Sequence, residues 1–522
     1  MRALPSRLLA VGSCAVVLAA ALARDVGAQG AGGVSESHPE VVVVVNAASP
    51  ISRAIGELYR AARGVPAQNV CALDVPLVDP ALGDPRDERV TPEDFEARVR
   101  APLARCLEER GLVDRARVLV TAKGLPLRIE AAPVDPRLLL RDAATASVEA
   151  ELALLFSDRL GSAGVLRTPN PYFGSSEPFA TWPGRGKPLR YLVARLDAYP
   201  SPLEPESGAP SSIAALLAQA AAPAELPGPV VVDEDPGLKP GLDAGNVMLL
   251  RPAAAALRVL GRRVLAETTD APAADGAGLG GLATWGSNAS RALEQPGAPF
   301  FGPIAGRVFP GRFGPRALAV ALVSTDGRSF AAPPLYGQSL AADLLALGAA
   351  GVAAHVAEPT LSGVARPHLL LREYALGATA VEAFYRSLPY LGWTNVFIGD
   401  PLATVPGPLP TRPADQDGDG VPDAADVCRD LPNPDQRDTD GDGFGNLCDA
   451  DVDGDGWVTS SFGNPEQPGD VERIALTARA LTNLPDHDLD GDGLVDRRDV
   501  SLAHVMLFQR PGPGRGAGRG KR

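Results

Sequence analysis

Between Asp415 and Asp449 the chain alternates aspartate with glycine so regularly that few structures can hold it. Runs of like charge ordinarily repel, extend and stay solvated. Here the acids recur at a spacing that one cation can use. A twelve-residue calcium loop takes oxygens from positions 1, 3, 5, 7, 9 and 12 and turns sharply at a glycine in position 6. Counted from Asp415, those positions fall on Asp415, Asp417, Asp419, the carbonyl of Val421, Asp423 and Asp426, with Gly420 at the turn. Counted from Asp438, they fall on Asp438, Asp440, Asp442, Asn446 and Asp449, with Gly443 at the turn. A solvated linker has no need of glycine at the same place twice, so the pattern predicts bound calcium. Only Val421, Val427, Leu431, Phe444 and Leu447 are sizeable and apolar in this stretch, which leaves it little core of its own.

Two further ladders follow. The first holds Asp451, Asp453 and Asp455 with Gly456, but its last position falls on Phe462, which cannot ligate. Residues 462–469 read as an insertion, and setting them aside brings Asp470 into the ligating role. The second ladder has no defect: Asp488, Asp490, Asp492, Asp496 and Asp499, with Gly493 at the turn. Each runs into a helical stretch, 471–481 and 500–508.

The aspartate ladder, the Asn433-Pro434-Asp435-Gln436 step and the flanking Cys428 and Cys448 resemble a pair of thrombospondin type 3 repeats over residues 415–449. The resemblance implies a calcium-filled wire. Residues 450–508, two loop–helix units in tandem, resemble a dockerin or a degenerate EF-hand pair. That implies a protein partner at the cell envelope or on a polysaccharide-associated assembly. On this reading chelation loosens residues 415–499 and leaves residues 40–405 folded, because metal coordination stands in for a core.

The 522 residues allow two or three domains. The formal charge of −14 is concentrated in the C-terminal fifth, which argues for a cation there and against a nucleic-acid partner. Residues 1–28 read as a secretory signal: Arg2 and Arg7, an apolar run from Leu8 to Ala23, then Val26-Gly27-Ala28. The run falls short of the roughly twenty residues that span a bilayer, and no later segment could span one. The predicted location is therefore secreted or in the envelope. With Cys14 removed in the signal, Cys71, Cys106, Cys428 and Cys448 remain, an even set that fits disulfides in an oxidising compartment. Cys428–Cys448 is the expected bridge; Cys71 and Cys106 either pair or stand as small buried apolar residues.

Residues 40–405 read as one α/β domain with a mostly parallel sheet flanked by helices. The run Val41–Val45 fits a strand buried on both faces. Strands at 69–75, 116–121, 190–195, 229–233, 263–267, 317–324, 351–355 and 396–399 alternate with helices opened by Ser49-Pro50, Thr91-Pro92, Ser147 and Ser211. Residues 406–414 form a stiff proline-rich linker. Residues 509–522 read as a disordered Gly/Arg tail.

Several segments of this domain, Thr121–Arg128, Ser147–Leu152, Tyr191–Asp197, Trp285-Gly286-Ser287 and Trp393–Pro401, are similar to an uncharacterised family of secreted bacterial proteins from exosortase-carrying species. That resemblance implies no activity. The strand order and the closing Gly399-Asp400-Pro401 also resemble the caspase-like fold of gingipain-type cysteine proteases. Such a fold implies a His-Gly pair after one strand and a cysteine after the next. Trp285-Gly286-Ser287 and Gly351–Glu358 stand in those places, so the cysteine dyad is absent. His355 and His368 are the only histidines of residues 40–405. His355 at a strand end, with Glu358 and Ser287, makes a candidate Ser/His/Glu set. Lys123, Arg195 and Asp197, also at strand ends, read as an ion-pair network. The leading reading is a secreted calcium-binding envelope protein that carries this domain on a calcium-stabilised stalk. The rivals are a hydrolase attached through its calcium modules and a polysaccharide-associated adapter.

Overall fold

The computed structural model describes residues 37–515 except 77–87, 131–144, 158–167, 199–211, 224–227, 236–240, 269–277, 287–311, 329, 331–338, 406 and 462–467. The expected signal at 1–28, the end of the Gly/Arg tail and Ser287 lie outside the described residues.

A ten-stranded mixed sheet organises the α/β domain. Its order is Val264–Glu267, Val230–Asp233, Leu279–Thr284, Phe313–Ala321, Gly351–His355, Asn395–Gly399, Leu192–Leu196, Val118–Ala122, Val41–Asn46 and Val70–Leu73. Parallel ladders run along both flanks. At the centre Gly351–His355 pairs antiparallel with Asn395–Gly399, His355 facing Asn395. All six residues of Val41–Asn46 are buried, as a strand covered on both faces requires.

Several helices start at side-chain caps. Ser49 Oγ accepts the amide of Ser52 at 3.2 Å to open Pro50–Ala62, which buries Ile55 and Tyr59. Thr91 Oγ1 caps Pro92–Phe95, and Ser147 Oγ caps the short helix Val148–Leu152. Two helices contain a π-turn, Glu96–Arg100 before Ala101–Glu109 and Asn246–Leu250 before Arg251–Val259. Each has proline just beyond it, Pro102 and Pro252. Proline lacks the N–H that an α-turn needs, and the ladder widens by one residue ahead of it.

Among the elements that escaped the sequence reading are one strand and one helix of the domain. Leu279–Thr284 contains Gly280 and Gly281 and lacks the β-branched signature of its neighbours. The glycines are needed because a Cβ on Gly280 would meet the carbonyl oxygen of Gly228 at 2.2 Å. The helix Pro367–Ala375 is buried along its whole length, so it shows no polar face to read.

The C-terminal region has the small core its sequence foretold. Helices Asp470–Ala480 and Arg497–Met506 pack together and bury Val471, Ile474, Leu502 and Val505 with Val458 and Leu489. Both disulfides are formed, Cys71–Cys106 with Cα atoms 6.0 Å apart and Cys428–Cys448 at 5.7 Å. Among the described residues no helix is long and apolar enough to cross a membrane.

Candidate functional site

Each aspartate ladder folds into the same small device. The first carboxylate accepts two backbone amides, one three or four residues on and the other five residues on. Asp415 takes Gly418 and Gly420, Asp438 takes Gly441 and Gly443, and Asp488 takes Gly491 and Gly493. Asp451 takes the amides of Asp455 and Gly456. The loop can close this tightly because the glycine at position 6 is left-handed in all four ladders, with φ of 95°, 96°, 92° and 90° at Gly420, Gly443, Gly456 and Gly493.

The result is four clusters of acids: Asp415, Asp417 and Asp419; Asp438, Asp440 and Asp442; Asp451, Asp453 and Asp470; Asp488, Asp490 and Asp499. In each, one oxygen per residue lies within 4.8 Å of the others. Two oxygens on one Ca²⁺ at about 2.4 Å can be no farther apart than about 4.8 Å, so each cluster fits a single ion. Asp470 reaches its ladder from across residues 462–469, and its oxygens accept the amides of Asp453 and Thr459 at 3.2 and 2.7 Å.

Electrostatics favour a cation as well. Burial, with Asp419, Asp426 and Asp415 nearby, pushes the Asp417 carboxyl up to about 8. Burial and the neighbouring ladder acids push Asp449 up to about 8 and Asp451 to about 6. Asp426, Asp470, Asp490 and Asp499 are raised in the same sense, chiefly by burial. Asp417 Oδ2 and Asp426 Oδ2 are buried without a hydrogen-bond partner. A divalent ion would supply the positive charge and a coordination partner for these carboxylate oxygens.

Other ladder residues have structural employment. Asp423 accepts the backbone amide and side-chain amide of Gln416. Asn446 Oδ1 accepts the amide of Thr439, and its Nδ2 donates to the carbonyls of Pro485 and Asp488. Asp496 caps the helix Arg497–Met506. Asp455 and Asp492 accept the amides of Trp457 and Leu494. Val421 donates its own amide to Asp419 at 2.8 Å.

In the α/β domain, loops from both flanks meet at the strand ends. Lys123 Nζ donates to Asp197 at 2.8 Å and to the carbonyl of Phe330 at 2.9 Å. The buried Arg195 donates to Asp197 at 3.0 Å, to Glu149 at 3.2 Å and to the carbonyls of Leu125 and Pro126. Thr121 Oγ1 donates to Glu149 at 2.6 Å. Lys123, Arg195 and Asp197 are thus joined in one network, as the sequence suggested, and Glu149 was missed.

His355 is buried, and its Nδ1 lies 3.1 Å from the carbonyl of Val323. The carboxylate it meets is Asp326, whose Oδ1 is 3.6 Å from Nδ1 and accepts the His355 amide at 2.8 Å. Glu358, the acid proposed from sequence, instead accepts Ser324 Oγ at 2.7 Å. Asp326 lies in the loop after Phe313–Ala321, and its place at a strand end is the signal that could have found it. The strand leading to Ser287 and the strand ending in His355 flank Phe313–Ala321, both parallel to it.

Neither the curated proteins nor the solved structures contain a match to this chain. The model of the thrombospondin type 3 repeat matches twice, at residues 413–436 and 437–459. Three of the four ladders begin inside those bounds. Residues 413–459 are therefore thrombospondin type 3 repeats, calcium-binding modules whose acids are clustered here as one ion requires.

Proposed function

We propose that this chain is an exported calcium-dependent protein in which the repeats and the paired loop–helix units hold the α/β domain of residues 40–405 at the cell envelope or outside the cell. The observation that carries the reading is the set of four carboxylate clusters, each compact enough for one ion. Two disulfides suit an oxidising compartment. The fourth cluster, Asp488, Asp490 and Asp499, lies beyond the matched repeats and binds calcium by the same geometry. Isothermal titration of the full chain with calcium chloride tests the reading. Binding at several sites, with affinities near the 10⁻⁴–10⁻³ M of extracellular modules, is expected. The absence of calcium binding at millimolar concentration would overturn it.

A second reading, that of an adapter, is favoured by one observation. Leu476, Leu481, Leu484 and Leu494 are each exposed within residues 476–494 of the paired loop–helix end, with Leu481 92% exposed. Apolar side chains left to solvent in one short region mark a contact surface. Pull-down from an envelope fraction, compared between the native chain and Leu481→Glu with Leu494→Glu, tests it; equal recovery would exclude the reading.

A further inference from the structure

The C-terminal module is fastened to the α/β domain at three anchors. In the first, Arg372 Nη1 donates to Asp430 at 2.5 Å. In the second, Arg412 donates both Nη atoms to Glu373, at 3.0 and 2.7 Å, and Arg386 also binds Glu373, at 3.0 Å. In the third, the last helix presents its terminal carbonyls to the domain. Arg366 Nη2 donates to Val505 O at 2.9 Å, and the Tyr390 hydroxyl donates to Leu507 O. Arg366, Arg372, Glu373 and Arg386 are all buried.

Each anchor adjoins a ladder. Arg412 precedes Asp415 by three residues. Asp430 follows Asp426 by four, and its turn is held to the ladder because the amide of Asn433 donates to Asp419 and Gln436 Nε2 donates to Asp426. Val505 and Leu507 end the helix whose first turn carries Asp499. Among the described residues Arg366 pairs with no carboxylate; its other acceptors are the carbonyls of Leu361, Ser362 and Val364. A buried cation or carboxylate that loses its partner is strongly destabilised.

From this we infer that calcium in the ladders latches the module onto the α/β domain, so that metal binding and the stability of the face around Pro367–Ala375 and Ala380–Ser387 are one coupled equilibrium. The inference rests on the calcium reading and goes beyond a stalk that loosens by itself. Removing calcium lets the ladder acids repel and displaces Asp430, Arg412 and the helix terminus, which takes Asp430 from Arg372, takes Arg412 from a Glu373 still paired with Arg372 and Arg386, and takes the Val505 carbonyl from Arg366. Coupling between two sites is reciprocal. Side chains of the α/β domain that touch no ladder must therefore change calcium affinity.

Two measurements on the full chain decide the matter. In hydrogen exchange with calcium chloride or with a chelator, residues 364–388 should exchange about tenfold or more faster on chelation, together with 412–508, while Val41–Asn46 and Val118–Ala122 stay protected. In calcium titration, Arg372→Met and the milder Tyr390→Phe should each weaken binding, Arg372→Met by about fivefold or more. Calcium binding with residues 364–388 unchanged and both variants at native affinity would overturn the latch and leave the calcium reading intact. Absence of calcium binding in the native chain would overturn both.

Discussion

Asp496 and Asp499 divide one ladder between two tasks. The Asp496 side chain caps the helix Arg497–Met506 by accepting the amide of Arg498 at 2.6 Å, and the Asp496 amide donates back to Asp499 Oδ2 at 2.8 Å. Asp499 Oδ1 faces the ladder, where it accepts the amide of Leu489 at 2.7 Å. Asp496→Ala should therefore cost about 1 kcal/mol of stability with the calcium count unchanged, as loss of a cap does. Asp499→Asn should remove one calcium. Titration of both variants against the native chain, with thermal unfolding in excess calcium, separates the roles.

Gly420 has φ of 95° and open space where a Cβ would project. Substitution by alanine there meets no clash, so its effect isolates backbone strain. Gly420→Ala should weaken calcium binding at the first ladder by a free energy of about 1–2 kcal/mol, roughly tenfold, and calcium titration reads it directly. A native affinity would show that the left-handed turn is not needed to close the loop.

Glu151 is buried in the short helix Val148–Leu152, and burial pushes its carboxyl up to about 7 against the favourable pull of Arg100. A folded-state value raised above the unfolded one favours folding of the protonated form. That stability is fully present below about pH 4.5 and is lost as pH rises through about 7. Glu151→Gln, which cannot ionise, should match the native protein at pH 4.5 and exceed it at pH 8 by on the order of 3 kcal/mol. Denaturant unfolding at the two pH values checks both the size and the sign.

The Cys428–Cys448 bridge closes a separation of 20 residues in a region with little core. Loop entropy puts its contribution on the order of 3 kcal/mol. Cys428→Ser with Cys448→Ser should therefore raise the calcium concentration needed to order residues 415–459. Limited proteolysis across a calcium series measures the displacement; an unchanged midpoint would mean that coordination alone sets the order of the repeats.

Much of this was legible in the sequence because the informative features are local. A calcium loop is written within twelve residues, and a buried parallel strand such as Val41–Asn46 is written in its own side chains. What the sequence hid depends on distant neighbours. Leu279–Thr284 is a strand because Gly228 and Leu318 approach it closely, and glycine carries no strand signal by itself. Asp326 became the carboxylate at His355, in place of Glu358, because two adjacent strands end together. Arg372 and Asp430 are 58 residues apart, and neither has a local pattern that foretells the other. The ladder positions filled by Asp423, Asn446 and Asp496 were read from spacing alone, which cannot tell a ligand from a cap or a turn.

The route by which Asp470 enters the third cluster frees that residue from a fixed spacing. In an ordinary loop the twelfth ligand is tied to the first by a fixed count, and one added residue destroys the site. Here the helix Asp470–Ala480 is held by its own packing, through Val471 and Ile474, and brings its first carboxylate to Asp451 and Asp453 independently of that count. The third carboxylate of this cluster is thus placed by where the helix begins rather than by its count from Asp451.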